Sequence, residues 1–231
     1  MAIAKTSVPA GFPGFRPAAS RFFRDLARNQ DRAWFEAHRD TYDREVLAPL
    51  RALVADLAAA FSAGGVPLTA DPLKAAFRIH RDVRFSRDKS PYKTHAGAVL
   101  SRDGTKGAYG MFYIHIDPAG SFAAAGFWHP GPAYLEALRS AMVEEPDRLR
   151  AAVDAALASG AELRREDALT RLPRGFEHAA GTAAAEFVKL RHLVVQWPIP
   201  AAALAKPALV ATLAGHALAA RPLLTFGWDA L

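Results

Sequence analysis

The chain contains no cysteine, and this absence removes several kinds of chemistry at once. Without cysteine there is no disulfide bond, no thiolate nucleophile and no thiolate metal site. A chain without cysteine suits a reducing compartment, so we expect a cytoplasmic location. The HExxH, EF-hand, P-loop and GxSxG motifs are also missing. The sequence therefore offers no local support for the enzyme classes that those motifs mark.

Long uncharged runs suited to a membrane span are also missing. Residues 118–135 form the longest charge-free stretch, but they include three prolines, three glycines and His129. The interior of a membrane-spanning helix does not carry such a set. Residues 1–5 contain a cation, but no run of seven apolar residues precedes Pro9. We therefore expect a soluble protein with no secretion signal and no membrane partner.

The chain is long and apolar enough to fold around a sizeable core. It has 231 residues, of which 51% are hydrophobic and 23% are charged. Such a chain buries roughly three-quarters of its unfolded surface, which excludes a disordered protein. There is no repeat and no linker composition, so we predict one domain over residues 1–231.

The N-terminal part, residues 16–62, is predicted to be helical. Pro17 suits the first turn of a short helix, where its missing N–H costs nothing. Asp31 can cap a second helix. Apolar residues then recur at three- and four-residue spacing over residues 42–61, and we expect Pro49 to bend or split that helix.

Residues 76–128 change to the period of two that is typical of strands. The first strand is predicted from Ala76, with one apolar face and one charged face; the apolar face holds Phe77, Ile79, Val83 and Phe85, and the charged face holds Arg78, His80, Asp82 and Arg84. Asp103-Gly104 and Asp117-Pro118-Ala119-Gly120 are hairpin turn signals that separate three further apolar segments. This region is therefore predicted to be an antiparallel β-meander.

Residues 131–220 return to mainly helical patterns. The predicted helices are 132–142, 146–157, 182–190 and 201–218, and an apolar strand is predicted at 192–197. Helices, then strands, then helices indicate the α+β class: an antiparallel β-meander packed with N-terminal and C-terminal helices.

Positive charge is concentrated in residues 74–93, which we call the basic segment. The whole chain carries +6. The basic segment has a local net charge of +5, because only Asp82 and Asp88 oppose its cations. These cations are Lys74, Arg78, Arg81, Arg84, Arg87, Lys89 and Lys93.

Residues 78–93, RIHRDVRFSRDKSPYK, closely resemble the signature of a family of bacteria and some fungi known as domain of unknown function 2461. The resemblance extends over most of the chain, to Asn29, Trp34-Phe35, Tyr42, Gly126, Pro130, Pro173, Gly175 and Phe176. Gln30 departs from it, since the family often has a second asparagine there. The resemblance implies an α+β domain of unassigned activity, and it supplies no catalytic residue and no cofactor.

The basic segment favours binding of an anionic small molecule that carries phosphate or carboxylate. Alternate residues of a strand lie about 6.6–6.8 Å apart, so its arginines can face one ligand. An apolar wall is also needed, and the meander can supply it, because Tyr109, Met111, Tyr113 and His115 share one face of their strand beside the small residues 123–126. The predicted ligand-binding residues are Arg78, Arg81, Arg84, Lys89, Tyr92, Lys93 and Tyr113.

Structural roles are the alternative for each of these residues. The arginines can pair internally with acids of the N-terminal helices, namely Asp25, Glu36, Asp40, Asp43 or Glu45. Arg81 lies among the apolar positions of its strand, so it is either paired inside or displaced by a bulge. Tyr92 can be the hydrophobic anchor of its loop. A helix can pack over the alanines of residues 123–126, which would make Tyr113 an ordinary core residue.

Catalytic and metal-binding signals are weak. His80 beside Asp82 is the best pair for proton transfer, but two residues on one strand face carry little weight. His115, Asp117 and His129 can form a metal trio if the hairpin brings their ends together. Asp117 more simply caps the turn at Pro118. We predict no metal and no cofactor, and we assign no catalytic role.

Two other classes of function remain open from the sequence. Nucleic-acid binding is less favoured, although a basic segment with aromatic residues nearby is compatible with it. The other open class is a non-enzymatic structural or interaction protein whose arginines are paired internally. The sequence contains no signal for a particular oligomeric state.

Overall fold

The fold comes from a computed structural model that describes residues 11–230. Residues 1–5, from which the absence of a secretion signal was predicted, lie outside this range. The helices are α1 (Pro17–Arg28), α2 (Arg32–Ala37), α3 (Arg39–Tyr42), α4 (Ala48–Ala63), α5 (Pro132–Glu144), α6 (Pro146–Ala158), α7 (Ala185–Val188), α8 (Ala201–Leu204) and α9 (Leu209–Trp228). The strands are β1 (Ala96–Ser101), β2 (Met111–Ile116), β3 (Ser121–Phe127), β4 (Glu162–Leu163) and β5 (Leu193–Ile199).

The N-terminal helices begin where local chemistry predicts. Pro17 is the first residue of α1, and the Asp31 carboxylate accepts a hydrogen bond of 2.8 Å from the Trp34 N–H at the start of α2. A π-helical turn, Asp43–Leu47, joins α3 to α4 immediately before Pro49. Proline has no N–H to donate and its ring crowds the carbonyl four residues earlier. The predicted interruption at Pro49 is therefore present as a π-turn.

The five strands form one antiparallel sheet in the order β1-β2-β3-β5-β4. The hairpin between β1 and β2 turns at Gly104, which has a φ of +73°. Glycine adopts this left-handed conformation at little energetic cost. Tyr113 of β2 pairs with Val99 of β1 and with Ala124 of β3. The fold class is α+β, as predicted.

One face of the sheet is covered by α4 and α9, and we call it the helix face. Phe61 of α4 packs edge-on against Phe112 of β2 at 5.4 Å between ring centres. On α9, His216 stacks on Trp197 of β5 at 4.9 Å. These contacts place the hydrophobic core between the sheet and the two helices. The opposite face, which carries Tyr113, is called the open face.

Two continuous helices are long and apolar enough to cross a membrane by length and composition alone. They are Arg39–Ala63, which includes the π-turn, and Leu209–Trp228, with 44% and 39% of the residues in their most apolar windows buried. The core of a globular protein also contains helices of this kind. In this structure they pack against each other and against the sheet.

The strand predicted from Ala76 is wrong. Only Ala76 and His80 form isolated bridges, to Ala98 and Tyr92. After His80 the chain does not continue as a strand. The Asp82 carboxylate accepts a hydrogen bond from the Arg84 N–H, and the Asp88 carboxylate accepts one from the Ser90 N–H. These backbone N–H groups would otherwise be available to a neighbouring strand. Phe85, predicted on the apolar face, is 96% exposed.

The C-terminal predictions also need corrections. The helix predicted at 182–190 is reduced to the single turn α7. The helix predicted at 201–218 is two helices, α8 and α9, with Pro207 between them. Proline disfavours a helix interior because it has no N–H to donate, although α9 accommodates Pro222. The strand predicted at 192–197 is present as β5. Strand β4 was missed because it is only two residues long and has no alternating pattern.

Candidate functional site

The open face of the sheet contains a pocket of about 390 Å³, which we call the open-face pocket. Its floor is formed by alternate residues of β1, β2 and β3. Its rim comes from the chain on either side of residues 82–90, which we call the basic loop, and from the β4–β5 end of the sheet. The lining residues used below are Phe77, Lys93, His95, Gly97, Met111, Tyr113, His115, Phe122, Ala124, Trp128 and Arg164.

The pocket exists because large side chains of β2 lie beside small residues of the neighbouring strands. In register, Tyr113 is opposite Ala124 and Met111 is opposite Gly126. On the other side, a Cβ atom added at Gly97 would lie 2.5 Å from the Tyr113 hydroxyl. The Tyr113 ring therefore lies over β1, in space that is available because residue 97 is glycine and has no side chain. The space predicted between β2 and residues 123–126 is present, while Ala123 is fully buried on the helix face.

A chain of polar side chains crosses one end of the pocket. The Tyr113 hydroxyl lies 3.0 Å from His115 Nδ1, and His115 Nε2 lies 3.5 Å from Asp117 Oδ2. The His95 ring lies beside His115 at 4.3 Å between ring centres. The other carboxylate oxygen of Asp117 accepts a hydrogen bond of 2.8 Å from the Ala119 N–H, so the predicted turn-capping role is also present.

Burial controls the protonation of this chain. Burial first, and then the neighbouring His115, lower the pKa of His95 to about 4 against the opposing effect of Asp117. Burial also lowers the pKa of His115 against the attraction of Asp117. The pKa of Tyr113 is raised to about 12 by burial and then by the negative charge of Asp117. At neutral pH both imidazoles and the phenol are uncharged.

Cations gather at the rim around Phe77. The Lys93 and Lys106 ammonium groups lie 5.4 and 5.2 Å from the centre of the Phe77 ring. Lys106 donates a hydrogen bond of 2.6 Å to the Ala76 carbonyl. Burial, followed by the positive charges of Arg78 and Lys106, lowers the pKa of Lys93. Within residues 11–230, Lys93 has no ion-pair partner.

A second cation lies at the β4 end of the pocket. The Arg164 guanidinium lies 4.9 Å from the Trp128 ring centre, and its Nε is 3.2 Å from the Glu166 carboxylate. Its charge is therefore partly compensated by Glu166, unlike that of Lys93. The arrangement holds a flat aromatic surface at this end of the pocket.

The chain matches the model of the family described as conserved hypothetical protein (DUF2461) over residues 18–226. It belongs to this family. No curated protein and no solved structure shows a significant match to the chain. Membership confirms the resemblance stated from the sequence. Because the description of DUF2461 names no activity, the function of this member has to be argued from the pocket.

The basic segment, which carries most of the DUF2461 resemblance, holds more than half of its cations in local contacts. Four of its seven cations have local partners: Lys74 with Asp71, Arg81 with Asp88, Arg84 with Asp82, and Lys89 with the Val83 carbonyl. Ser90 first, and then Arg81, lower the pKa of the Asp88 carboxyl far below its usual range. In the described part of the chain, Arg78, Arg87, Lys89 and Lys93 have no ion-pair partner, and Lys89 contacts backbone carbonyls only.

The predicted pairing of these cations with acids of the N-terminal helices is wrong in its details. Glu36 forms a 2.9 Å ion pair with Arg39, and Glu45 forms a 2.8 Å ion pair with Arg44. Glu36 is three residues from its partner and Glu45 is one residue from its partner, so both acids are occupied by near neighbours of the N-terminal region. Arg81 is paired, but with the exposed Asp88 of its own loop rather than inside the protein, as one alternative predicted.

Tyr92 lies in the core rather than at the pocket. It is 4% exposed and stacks on Phe35 at 4.5 Å between ring centres, while Gln30 accepts a hydrogen bond from its N–H. Tyr92 is therefore the hydrophobic anchor of the loop. The predicted stacking of Tyr92 on a ligand is wrong, because no ligand reaches a buried ring.

The pair His80 and Asp82 is not assembled for proton transfer. Both Asp82 carboxylate oxygens accept hydrogen bonds from the Arg84 side chain, at 3.0 and 2.7 Å. Arg84 lowers the pKa of Asp82 through these bonds. His80 is exposed and packs beside Tyr92 and Phe35. Asp82 is thus committed to Arg84, and it does not orient the imidazole.

The sequence offered His115, Asp117 and His129 only as a conditional metal trio, and the structure does not bring these three residues together. His115 pairs with Phe122 at the start of β3, whereas His129 follows the other end of that strand and packs against His192. His95 takes its place, because the antiparallel register of β1 and β2, continued by one residue, puts His95 opposite Asp117. Sequence reasoning missed His95, but a correct hairpin register would have found it.

Proposed function

We propose that the protein binds an anionic small molecule with a flat or apolar portion in the open-face pocket. The observation that carries this proposal is Lys93: a cation without an ion-pair partner in the described chain, on the rim of a pocket with mostly apolar walls. Arg78 and Lys106 lie close enough to repel it. An anion between these cations would relieve that repulsion.

The energetics favour a ligand with both charge and apolar surface. Hydrogen bonds to charged groups contribute about 1.5–3 kcal/mol each, so two of them fall short of the roughly 8 kcal/mol of micromolar binding. Apolar contact with Tyr113, Phe122 and Trp128 supplies the remainder at about 25 cal/mol per Å². A volume of about 390 Å³ suits a metabolite-sized molecule.

The ligand-binding set is smaller than the sequence predicts. Lys93 and Tyr113 line the pocket, and Arg78 is close to Lys93. Arg81, Arg84 and Lys89 do not line it and are engaged in the basic loop. The proposal therefore rests on Lys93, Tyr113 and Arg78, with Lys106 and Arg164 added from the structure.

A thermal-shift screen with phosphates, nucleotides and aromatic carboxylates tests the proposal. We expect at least one anion to raise the Tm of the wild type. Lys93→Met, which keeps the aliphatic stem but removes the charge, should abolish the shift. Arg87→Ala is the control, because it removes an exposed cation of the basic segment that has no ion-pair partner and lies outside the pocket. This variant should retain the thermal shift. An equal loss in both variants, or no shift with any anion, would contradict the proposal.

Nucleic-acid binding is a second candidate, favoured by the basic loop rather than the pocket. Phe85 is 96% exposed, the Arg84 guanidinium lies 5.8 Å from its ring, and Arg87 is exposed nearby. An exposed aromatic ring among cations can stack on an unpaired base. About four phosphate contacts on a single strand would give a log–log salt slope of about −2.8. A salt-independent affinity, or none, eliminates this candidate.

A further inference from the structure

We propose that His95, His115 and Asp117 bind one divalent transition-metal ion at the end of the open-face pocket. One donor atom from each residue lies within 4.8 Å of the other two, and both histidines line the pocket. These are the residues that antiparallel register places opposite one another where β1 begins and β2 ends. The proposal does not depend on the identity of an anionic ligand.

The spacing between His115 and Asp117 supports a shared ion. His115 Nε2 and Asp117 Oδ2 are 3.5 Å apart, which is long for a charge-assisted hydrogen bond. Bonds of about 2.0–2.1 Å to a tetrahedral zinc ion place two ligand atoms about 3.3–3.4 Å apart. An ion between these atoms therefore needs a shift of only a few tenths of an ångström. His95, 4.3 Å from His115 between ring centres, supplies the third donor.

Two of the three ligands are already oriented by contacts at their other ends. With Nε2 on the metal, His115 Nδ1 carries the proton and donates to the Tyr113 hydroxyl, 3.0 Å away. Asp117 Oδ1 is held by the Ala119 N–H, which leaves Oδ2 free. Such outer contacts fix the tautomer and direction of ligating side chains in metalloproteins.

The donor set indicates the class of metal. Two imidazoles and one carboxylate, without thiolate, suit Zn²⁺, Fe²⁺ or Mn²⁺ better than Ca²⁺ or Mg²⁺, which prefer oxygen ligands. Three protein ligands leave at least one position open, as in catalytic rather than structural zinc sites. Because His95 and His115 line the pocket, that open position is accessible to water or to a ligand oxygen.

Titration of the tag-free, chelator-treated protein with Zn²⁺ by calorimetry, and with Co²⁺ by visible absorption, tests the site. We expect one equivalent to bind to the wild type. His95→Ala and His115→Ala should each abolish this binding. Asp117→Asn should weaken it at least tenfold, because an amide keeps the turn hydrogen bond but loses the negative charge. Tyr113→Phe should weaken it about 10–100-fold through the orientation of His115.

Two controls make the result decisive. His129→Ala alters the other histidine pair, His129 with His192, and should leave the affinity unchanged. Lys93→Met should also keep the metal while it loses the anion response, so failure of the anion proposal is distinguishable from failure of this one. Absence of stoichiometric binding, or its loss in His129→Ala, overturns the proposal. If circular dichroism shows that an alanine variant is misfolded, the Asp117→Asn variant provides the test. An unchanged metal affinity of Asp117→Asn overturns the proposal.

Discussion

Single glycine and alanine residues create the open-face pocket. Ala124 and Gly126 of β3 leave the space beside Tyr113 and Met111, and Gly97 of β1 leaves room for the Tyr113 hydroxyl. Gly126 also has a φ of +135°, and a Cβ there would overlap the Leu193 carbonyl of β5. These residues create the pocket because their side chains are small or absent. A larger side chain would fill the pocket or separate the strands.

Substitution of Gly97 by alanine should disturb the pocket and destabilise the protein. The new Cβ would lie 2.5 Å from the Tyr113 hydroxyl, so the ring must move and its contact with His115 is lost. Overpacking of this kind costs about 1–3 kcal/mol of unfolding free energy, which urea denaturation measures. Gly107→Ala is the matched control, because nothing lies within 4 Å of its added Cβ. Equal stability of the two variants would contradict this account.

At the level of elements, helix α9 and strand β5 join the helical layer to the sheet. His216 of α9 stacks on Trp197 of β5 with an angle of 13° between the rings. Burial at this contact lowers the pKa of His216 from its ordinary value of 6.5. The folded protein therefore holds His216 neutral at a pH where the unfolded chain protonates it.

This contact makes stability depend on pH in a defined direction. The contribution of neutral His216 is complete above pH 6.5, and it is lost as the pH falls towards the lowered pKa of the folded state, because the unfolded state then binds more protons. His216→Gln cannot titrate, so it should lose less unfolding free energy than the wild type between pH 7.5 and 5. Denaturant titrations at the two pH values measure the difference. An equal loss in both proteins would show that His216 does not titrate differently on folding.

On the scale of the whole molecule, stability is distributed unevenly between the sheet and the basic loop. Strand β3 is paired on both sides and lies against the covering helix α9. Residues 82–90 instead extend from the sheet, and their hydrogen bonds are mostly to side chains of the same loop. Residues 82–90 carry three cations and two aspartates, a net charge of +1, so most of the surplus positive charge of the basic segment lies outside this loop.

Native-state hydrogen exchange should show this division. We expect the amides of β3 to exchange slowest, with protection close to that of global unfolding, because both of its edges are hydrogen-bonded. The amides of residues 82–90 should exchange fastest within the described chain. Mass spectrometry or NMR at pH 7 measures both. Comparable protection in β3 and in residues 82–90 would contradict the fold-level argument.

Local patterns were sufficient for the elements that depend on near neighbours. Pro17 and Asp31 mark helix starts, Asp103-Gly104 marks a hairpin, and alternation identifies β2, because each signal acts within a few residues. The alternation of apolar and charged residues from Phe77 to Phe85 predicted a strand that is not present, because Asp82 and Asp88 accept backbone hydrogen bonds in local turns. His95 was missed because its position opposite Asp117 follows from strand register, which the hairpin as a whole sets.

The sequence by itself determined the α+β class, the location of the basic segment, and the coincidence of large β2 residues with small β3 residues. Only the tertiary structure decided that Arg81, Arg84 and Lys89 are held by partners within residues 81–90, that Tyr92 lies in the core, and that His95 joins His115 and Asp117. The physical reason is range. Periodicity, caps and turns act over a few bonds, whereas ion-pair partners, strand register and the uncovered face of a sheet depend on distant segments that meet only when the chain folds.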